Sequence, residues 1–139
     1  MEAPLSIFYL NNNHDDLGCF KSVAQKLGNT VLVFKKGQEM LQALNNSSKK
    51  PDVIFLDTEM PIVNGEEILD VLKKSREWRN IPIVMVSGAF PKKLARHFLQ
   101  MGANYLVKKH HNSNYEIQVE QVLTTDLHSP KVISELQVL

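Results

Sequence analysis

Cysteine is nearly absent from this 139-residue sequence, in which Cys19 is the only one. A single cysteine cannot form a disulfide within the chain, and it fits a reducing compartment. We expect Cys19 to pack on the first helix and the protein to act in the cytoplasm. The first ten residues, MEAPLSIFYL, have no basic start and no cleavage site, so no export signal is predicted.

Long hydrophobic runs and an excess of one charge are also missing. No apolar stretch approaches the roughly 20 residues of a membrane span, so no membrane segment is predicted. The formal net charge is +1, with 16 Lys and Arg against 15 Asp and Glu, and this balance predicts no nucleic-acid partner. Most Lys-Lys pairs are interpreted as solvated element ends: Lys35/Lys36, Lys49/Lys50, Lys73/Lys74, Lys92/Lys93 and Lys108/Lys109.

The sequence does contain a regular alternation of apolar runs and helical patterns. Five short runs rich in Val, Ile and Phe have the length of strands buried on both faces: residues 7–10, 31–34, 53–56, 83–86 and 105–107. Apolar residues three or four positions apart predict a helix after each run: Leu17, Phe20, Val23, Ala24 and Leu27, closed by Gly28; Met40, Leu41 and Leu44; Ile68, Leu69 and Leu72, with Asn64 and Glu67 as a capping box; Leu94, Phe98 and Met101, between Pro91 and Gly102; Ile117, Val122 and Leu123.

Strict alternation of strand and helix predicts right-handed βαβ units. The length suits one domain. We therefore expect a single α/β domain, doubly wound around a five-stranded parallel sheet and spanning residues 1–126. Residues 127–139 are interpreted as a C-terminal extension, which an apolar pattern after Ser129 and Pro130 allows to be a short extra helix. Such sheets bind ligands at the carboxyl ends of their strands.

Polar residues stand at these predicted strand ends: Asn11 and Asn12, Asp57, Ser87, and Lys108. Each one alone is explained by a turn, a backbone hydrogen bond or a solvated charge. Together they place a carboxylate, a hydroxyl and an ammonium around one crevice, and the small Gly88 leaves room there for a ligand. That combination suits a phosphoryl group carried on Asp57.

Three segments, PDVIFLDTEMPIVNGEEIL (residues 51–69), IPIVMVSGAF and GANYLVKK, resemble the receiver domain of two-component response regulators. The resemblance covers about residues 5–123 and includes the motif D-x-x-M-P-x-x-x-G, formed by Asp57, Met60, Pro61 and Gly65. It implies a flavodoxin-like (βα)5 fold with strand order 2-1-3-4-5. It also implies a single-domain signalling module rather than an enzyme.

The resemblance further implies that Asp57 accepts a phosphoryl group from a histidine kinase or phosphotransfer protein. Ser87 is then the switch hydroxyl, Lys108 pairs with the phosphoaspartate, and Gly88 borders the phosphoryl group. Tyr105 takes the switch-aromatic position, and half-buried packing on the strand is compatible with that role. The switch would alter the face of the fourth helix, fifth strand and fifth helix, where a downstream protein or a second copy would bind.

The sequence departs from the family pattern in two places, after the first strand and after the last. Receivers hold Mg²⁺ with an acid pair after the first strand, the phosphorylated aspartate and the backbone carbonyl two residues beyond it. Here Asn11 and Asn12 replace the acids, leaving Asp57, Asn12 and the Glu59 carbonyl as a weak Mg²⁺ site and predicting slow or absent phosphorylation. Lys109 stands where the family commonly has proline, often after a cis peptide bond that helps to aim the lysine, and the Lys108-Lys109 bond should instead be trans.

Three functions remain open. The chain is either a receiver phosphorylated on Asp57 or a degenerate receiver that acts by protein binding alone. Four retained residues favour the first function: Asp57, Ser87, Lys108 and Tyr105. The two amides favour the second. A phosphatase of haloacid dehalogenase type is a remote alternative. Such enzymes need a second aspartate two residues after the first as a general acid or base, where this sequence has Glu59, and no cap segment is present.

Overall fold

The computed structural model describes residues 4–11, 14–58, 65–87 and 91–108, with residues 14–19 and Lys108 described by their backbone only. Five strands alternate with four helices: β1 (Ser6–Leu10), α1 (His14–Lys26), β2 (Thr30–Phe34), α2 (Gly37–Asn46), β3 (Val53–Asp57), α3 (Gly65–Lys74), β4 (Ile83–Ser87), α4 (Lys92–Met101) and β5 (Tyr105–Lys108). The capping box at Asn64, the fifth helix and the extension over residues 127–139 lie outside the described residues.

The five strands form one parallel sheet in the order β2-β1-β3-β4-β5, which confirms the predicted fold. The predicted strands agree with the observed ones to within one residue at each end, because β1, β3 and β4 are almost wholly buried and read as continuous apolar runs. None of the helices in the described part of the chain could cross a membrane.

The sheet separates two apolar cores. On one face, α1 packs over an aromatic group in which the Tyr9 ring lies 4.5 Å from Phe20 and 5.6 Å from Phe55, measured between centroids. On the other face, α2, α3 and α4 bury Met40, Leu69 and Phe98 against the sheet. Because successive side chains in a strand point to opposite faces, Tyr9 faces the first core and Leu10 the second. Both cores thus fix the strands whose ends carry the polar residues.

Two helices, α1 and α4, end close to the glycines that were predicted to close them. Gly28 (φ 89°) and Gly102 (φ 111°) both take the left-handed conformation just after α1 and α4, as predicted. The prediction was wrong for Leu27, whose side chain is 40% exposed because it lies beyond the last helical residue, Lys26.

The interpretation of Lys-Lys pairs as solvated ends does not hold for Lys73. Its amino group donates to the carbonyl oxygens of Arg79, at 3.0 Å, and Ile81, at 3.4 Å. Its methylene chain lies against Gly102, where an added Cβ would stand 3.1 Å from the Lys73 Cγ and Cδ. Burial lowers the pKa of Lys73 from its ordinary value. Lys73 therefore joins α3 to the segments that lead into β4 and β5.

Candidate functional site

The carboxyl ends of the parallel strands bring the predicted polar residues to one edge of the sheet. Leu10 is paired with Leu56, so the next residues, Asn11 and Asp57, lie at the same level of the sheet on neighbouring strands. Asp57 is paired with Val86, and Ser87, the next residue of β4, is paired with Lys108 of β5. Since adjacent strands lie about 4.8 Å apart, these four positions are neighbours across four strands.

Asp57 is the acid at the centre of this edge, and its side chain is almost completely buried, with 1% exposure. It ends β3, and the following residue, Thr58, still donates its N–H to the Val86 carbonyl at 3.0 Å. The strand pairing therefore continues past Asp57 and fixes its backbone between β1 and β4. A buried carboxylate held by two neighbouring strands is positioned before any ligand arrives.

Gly65, the first residue of α3, lies directly against the backbone of Asp57. A Cβ added at Gly65 would stand 2.9 Å from the Asp57 carbonyl carbon and closer still to its oxygen. No side chain fits in that space, which explains why the motif that begins at Asp57 ends in glycine. The N-terminus of α3 is thus packed onto the Asp57 peptide group.

Asn11 is fully buried at the end of β1. Its backbone N–H donates to the Phe34 carbonyl at 2.9 Å, and its side-chain Nδ2 donates to the Tyr9 hydroxyl at 3.3 Å. Tyr9 was missed as a site residue. The signal was present in the sequence, because two residues apart on a strand means the same face of the sheet. The amide of Asn11 is therefore tied to the aromatic core beneath the site.

Ser87 and Tyr105 are also buried, with exposures of 4% and 0%. Tyr105 packs on its strand as expected but is buried completely, not half-buried, because its ring lies in the first core together with Val84 and Val86. Tyr105 is paired with Val84, three positions before the pair formed by Ser87 and Lys108. Ser87 thus ends β4 beside Lys108, while Tyr105 lies three positions earlier along the paired strand, in the first core.

Several predicted site residues lie outside the described residues: Asn12, Glu59, Gly88 and Lys109. For Lys108 only the backbone is described, and its place at the end of β5 agrees with the prediction. The structure therefore brings together Asn11, Asp57, Ser87 and the Lys108 backbone.

The described part of the site is poor in acids. Within residues 4–11, 14–58, 65–87 and 91–108, no group of three or more His, Cys, Asp and Glu side chains could hold a metal ion. Asp57 and Asn11 supply one carboxylate and one amide at neighbouring strand ends. Mg²⁺ is bound in many sites by one or two carboxylates and several waters, and an amide oxygen adds no charge. These donors fit a weak Mg²⁺ site.

Comparison with known proteins identifies the family. The family model of the response regulator receiver domain matches residues 8–119, which is most of the chain. The chain therefore belongs to the receiver-domain family. Receiver domains are typically non-enzymatic signalling modules that interact with histidine kinases or phosphotransfer proteins and usually bind Mg²⁺ in an acidic pocket.

The curated relatives include both short and long proteins. The polar-differentiation response regulator DivK of Brucella anthropi is 26% identical over 106 residues, covering 76% of this chain and 85% of DivK. The sensor histidine kinase CheAY of Helicobacter pylori is 25% identical over 109 residues, covering 78% of this chain and 14% of CheAY. The chain also spans 17% of the response regulator-like protein APRR1 of Arabidopsis thaliana.

Solved structures of response regulators share the fold. The phosphorylated cyanobacterial phytochrome response regulator RcpA superposes with a TM-score of 0.81 at 23% identity, covering 89% of this chain and 97% of RcpA. The bacteriophytochrome response regulator AtBRR superposes with a TM-score of 0.71 at 27% identity, covering 86% of this chain and 92% of AtBRR. These similarities agree with the observed strand order.

Proposed function

We propose that this chain is a receiver that accepts a phosphoryl group on Asp57 from a histidine kinase or a histidine phosphotransfer protein. The observation that carries the proposal is the register of the sheet. It sets the ends of β3, β4 and β5, and with them Asp57, Ser87 and Lys108, side by side at one edge. A carboxylate, a hydroxyl and an ammonium on successive strands are the groups that this transfer requires.

In the proposed reaction, a carboxylate oxygen of Asp57 forms a bond to phosphorus while the bond from phosphorus to the donor histidine nitrogen breaks. The product is an aspartyl phosphate on Asp57 and a free histidine on the donor. The Ser87 hydroxyl then donates to a phosphoryl oxygen, the Lys108 ammonium offsets its charge, and Gly88 leaves space beside them. Mg²⁺, held by Asp57, Asn12 and the Glu59 backbone carbonyl, would neutralise charge on the transferring group.

The replacement of the acid pair by Asn11 and Asn12 makes this an atypical receiver. With one carboxylate in the proposed ligand set, Mg²⁺ binds weakly and transfer is slow at low Mg²⁺. On phosphorylation, Ser87 and Tyr105 change position, and their movement alters the face formed by α4, β5 and the fifth helix. That face would bind a downstream protein or a second copy of the chain.

A second candidate is a degenerate receiver that signals by protein binding without phosphorylation. The hydrogen bond from Asn11 Nδ2 to the Tyr9 hydroxyl favours it, because it ties a neutral, fully buried amide to the core at a metal-ligand position. A phosphatase of haloacid dehalogenase type has no supporting observation, and we propose that the chain is not an enzyme. The domain limits at residues 1–126, the extension over residues 127–139 and the cytoplasmic location stay predictions.

The direct test is incubation with acetyl phosphate and Mg²⁺, followed by intact-mass measurement. We expect one phosphoryl group on the wild-type chain and none on Asp57→Ala. The matched control is Asp70→Ala, since Asp70 is a surface acid that pairs with Lys74 at 3.0 Å, and this variant should be phosphorylated like the wild type. If no phosphoryl adduct forms at high Mg²⁺, Asp57 is not a phosphoacceptor, and the second candidate, a degenerate receiver, is favoured instead.

A further inference from the structure

The exposed face of α4 carries an unusual concentration of positive charge. Lys92, Lys93 and Arg96 are all exposed, as is the neighbouring His97, and the ten residues of α4 include no Asp or Glu. On a helix with 3.6 residues per turn, these four side chains and exposed Gln100 lie on one side of the helix. The buried face of the same helix holds Ala95 and Phe98. We call Lys92, Lys93 and Arg96 the α4 basic stripe.

This arrangement opposes the stability of the helix itself. Lys92 and Lys93 lie in the first turn, where the positive end of the helix dipole disfavours cations. Arg96 is three and four positions from them, and like charges at those spacings repel. The neighbouring α3 is arranged in the opposite way, with Glu66 and Glu67 in its first turn and Lys73 and Lys74 in its last. The charges of α3 stabilise their helix, and those of α4 do not.

The cations of the stripe are not neutralised within the described chain. Glu66 Oε2 of α3 lies 3.3 Å from His97 Nε2, outside the stripe. For Lys92, Lys93 and Arg96, the described residues provide no ion pair. A charge pattern that weakens its own helix and lacks internal partners is typical of a surface that binds something else.

We propose that the α4 basic stripe docks an acidic segment of a protein partner. Charge complementarity selects this partner: three fixed cations within two helical turns match carboxylates spaced along one face of a peptide or helix. Nucleic acid is disfavoured, because three cations on one helix make a small basic patch and the chain as a whole has a formal net charge of only +1. The proposal deepens the proposed function by naming the chemistry of the downstream partner.

The test uses fluorescence anisotropy of a labelled peptide of repeated Glu-Glu-Leu units, at about 150 mM salt, where weak long-range attraction is screened. The full chain is compared with the variant Lys92→Glu/Lys93→Glu/Arg96→Glu. We expect this variant to lose binding by about tenfold or more and to melt at a higher temperature than the wild type, because acids suit the first turn of a helix. A loss of binding in a more stable protein cannot result from misfolding.

The matched control makes the same charge change at dispersed exposed sites, with Lys21→Glu/Lys35→Glu/Lys49→Glu, and should keep binding within about twofold. The peptide is also titrated into Asp57→Ala, which should bind like the unmodified wild type. Failure of phosphoryl transfer therefore cannot be mistaken for failure of docking. Equal losses in the two triple variants, no saturable binding, or tighter binding of a single-stranded oligonucleotide of the same net charge would each overturn the proposal.

Discussion

The ends of β1 and β3 are neighbours in the sheet, equally buried, and chemically different. Asp57 at the end of β3 is a carboxylate whose backbone is packed against Gly65, and Asn11 at the end of β1 is an amide bonded to the Tyr9 hydroxyl. Both positions are held by the fold before any ligand arrives. In the proposed site, the side that would accept the phosphoryl group presents a buried carboxylate, whereas the side that would hold the metal presents a buried neutral amide.

The largest expected effect comes from breaking the β3 side with Gly65→Ala. The added Cβ has no space against the Asp57 carbonyl, so the free energy of unfolding should fall by about 3 kcal/mol in urea titrations. The control is Gly28→Ala, where no atom lies within 4 Å of the added Cβ and only the positive φ of 89° opposes the change, at about 1 kcal/mol. Equal losses in the two variants would contradict the close packing at Asp57.

The variant Asn11→Asp/Asn12→Asp tests whether the two residues after β1 occupy Mg²⁺-binding positions, because it places acids there. Two added carboxylates should raise Mg²⁺ affinity by about 100-fold, measured by calorimetry. The control variant, Asn45→Asp/Asn46→Asp at the exposed end of α2, adds the same charge elsewhere and should leave the affinity unchanged. Unchanged Mg²⁺ binding in the first variant would show that Asn11 and Asn12 do not occupy the metal positions.

The hydrogen bond between Asn11 and the Tyr9 hydroxyl is tested by Tyr9→Phe. Removing the hydroxyl takes an acceptor from a buried amide and should lower the free energy of unfolding by about 2 kcal/mol. A double-mutant cycle with Asn11→Ala separates this hydrogen bond from the packing of the ring. A coupling energy of zero would mean that the Tyr9 hydroxyl does not hold Asn11.

The smallest effect is expected at the opposite edge of the sheet, from Lys73→Met. The methylene chain over Gly102 is retained. Two hydrogen bonds are lost, but the cost of burying the ammonium is removed as well, so stability at neutral pH should fall by only about 0.5 kcal/mol. Burial lowers the pKa of Lys73 below 10.5, so the unfolded chain holds this proton to higher pH than the folded chain. The wild type should therefore gain stability relative to Lys73→Met as the pH rises from the lowered pKa to 10.5.

Denaturation of both proteins across this alkaline range measures that difference. A difference in stability that stays constant with pH would contradict the lowered pKa of Lys73. Phosphorylation should be the same in the two proteins, because Lys73 lies near the amino ends of β4 and β5, away from Asp57.

The sequence predicted the fold well because its strands are short, apolar and buried on both faces, so their ends could be read directly. Those ends then placed Asn11, Asp57 and Ser87 together. Contacts between distant residues could not be read in this way: the packing of Gly65 on Asp57 and the burial of Lys73 depend on how helices meet the sheet. Leu27 was misplaced because helical spacing continues one residue past the end of α1.

We propose that Asp57 accepts a phosphoryl group although amides stand at the positions where receivers carry acids. The most direct measurement treats the chain with acetyl phosphate at increasing Mg²⁺, traps acyl phosphates with hydroxylamine, and locates the resulting hydroxamate by peptide mass spectrometry. We predict a hydroxamate on Asp57, with a yield that rises with Mg²⁺, and none on the surface residues Asp52 and Asp70. No hydroxamate on Asp57 at any Mg²⁺ concentration, or equal yields at the surface acids, would contradict the claim.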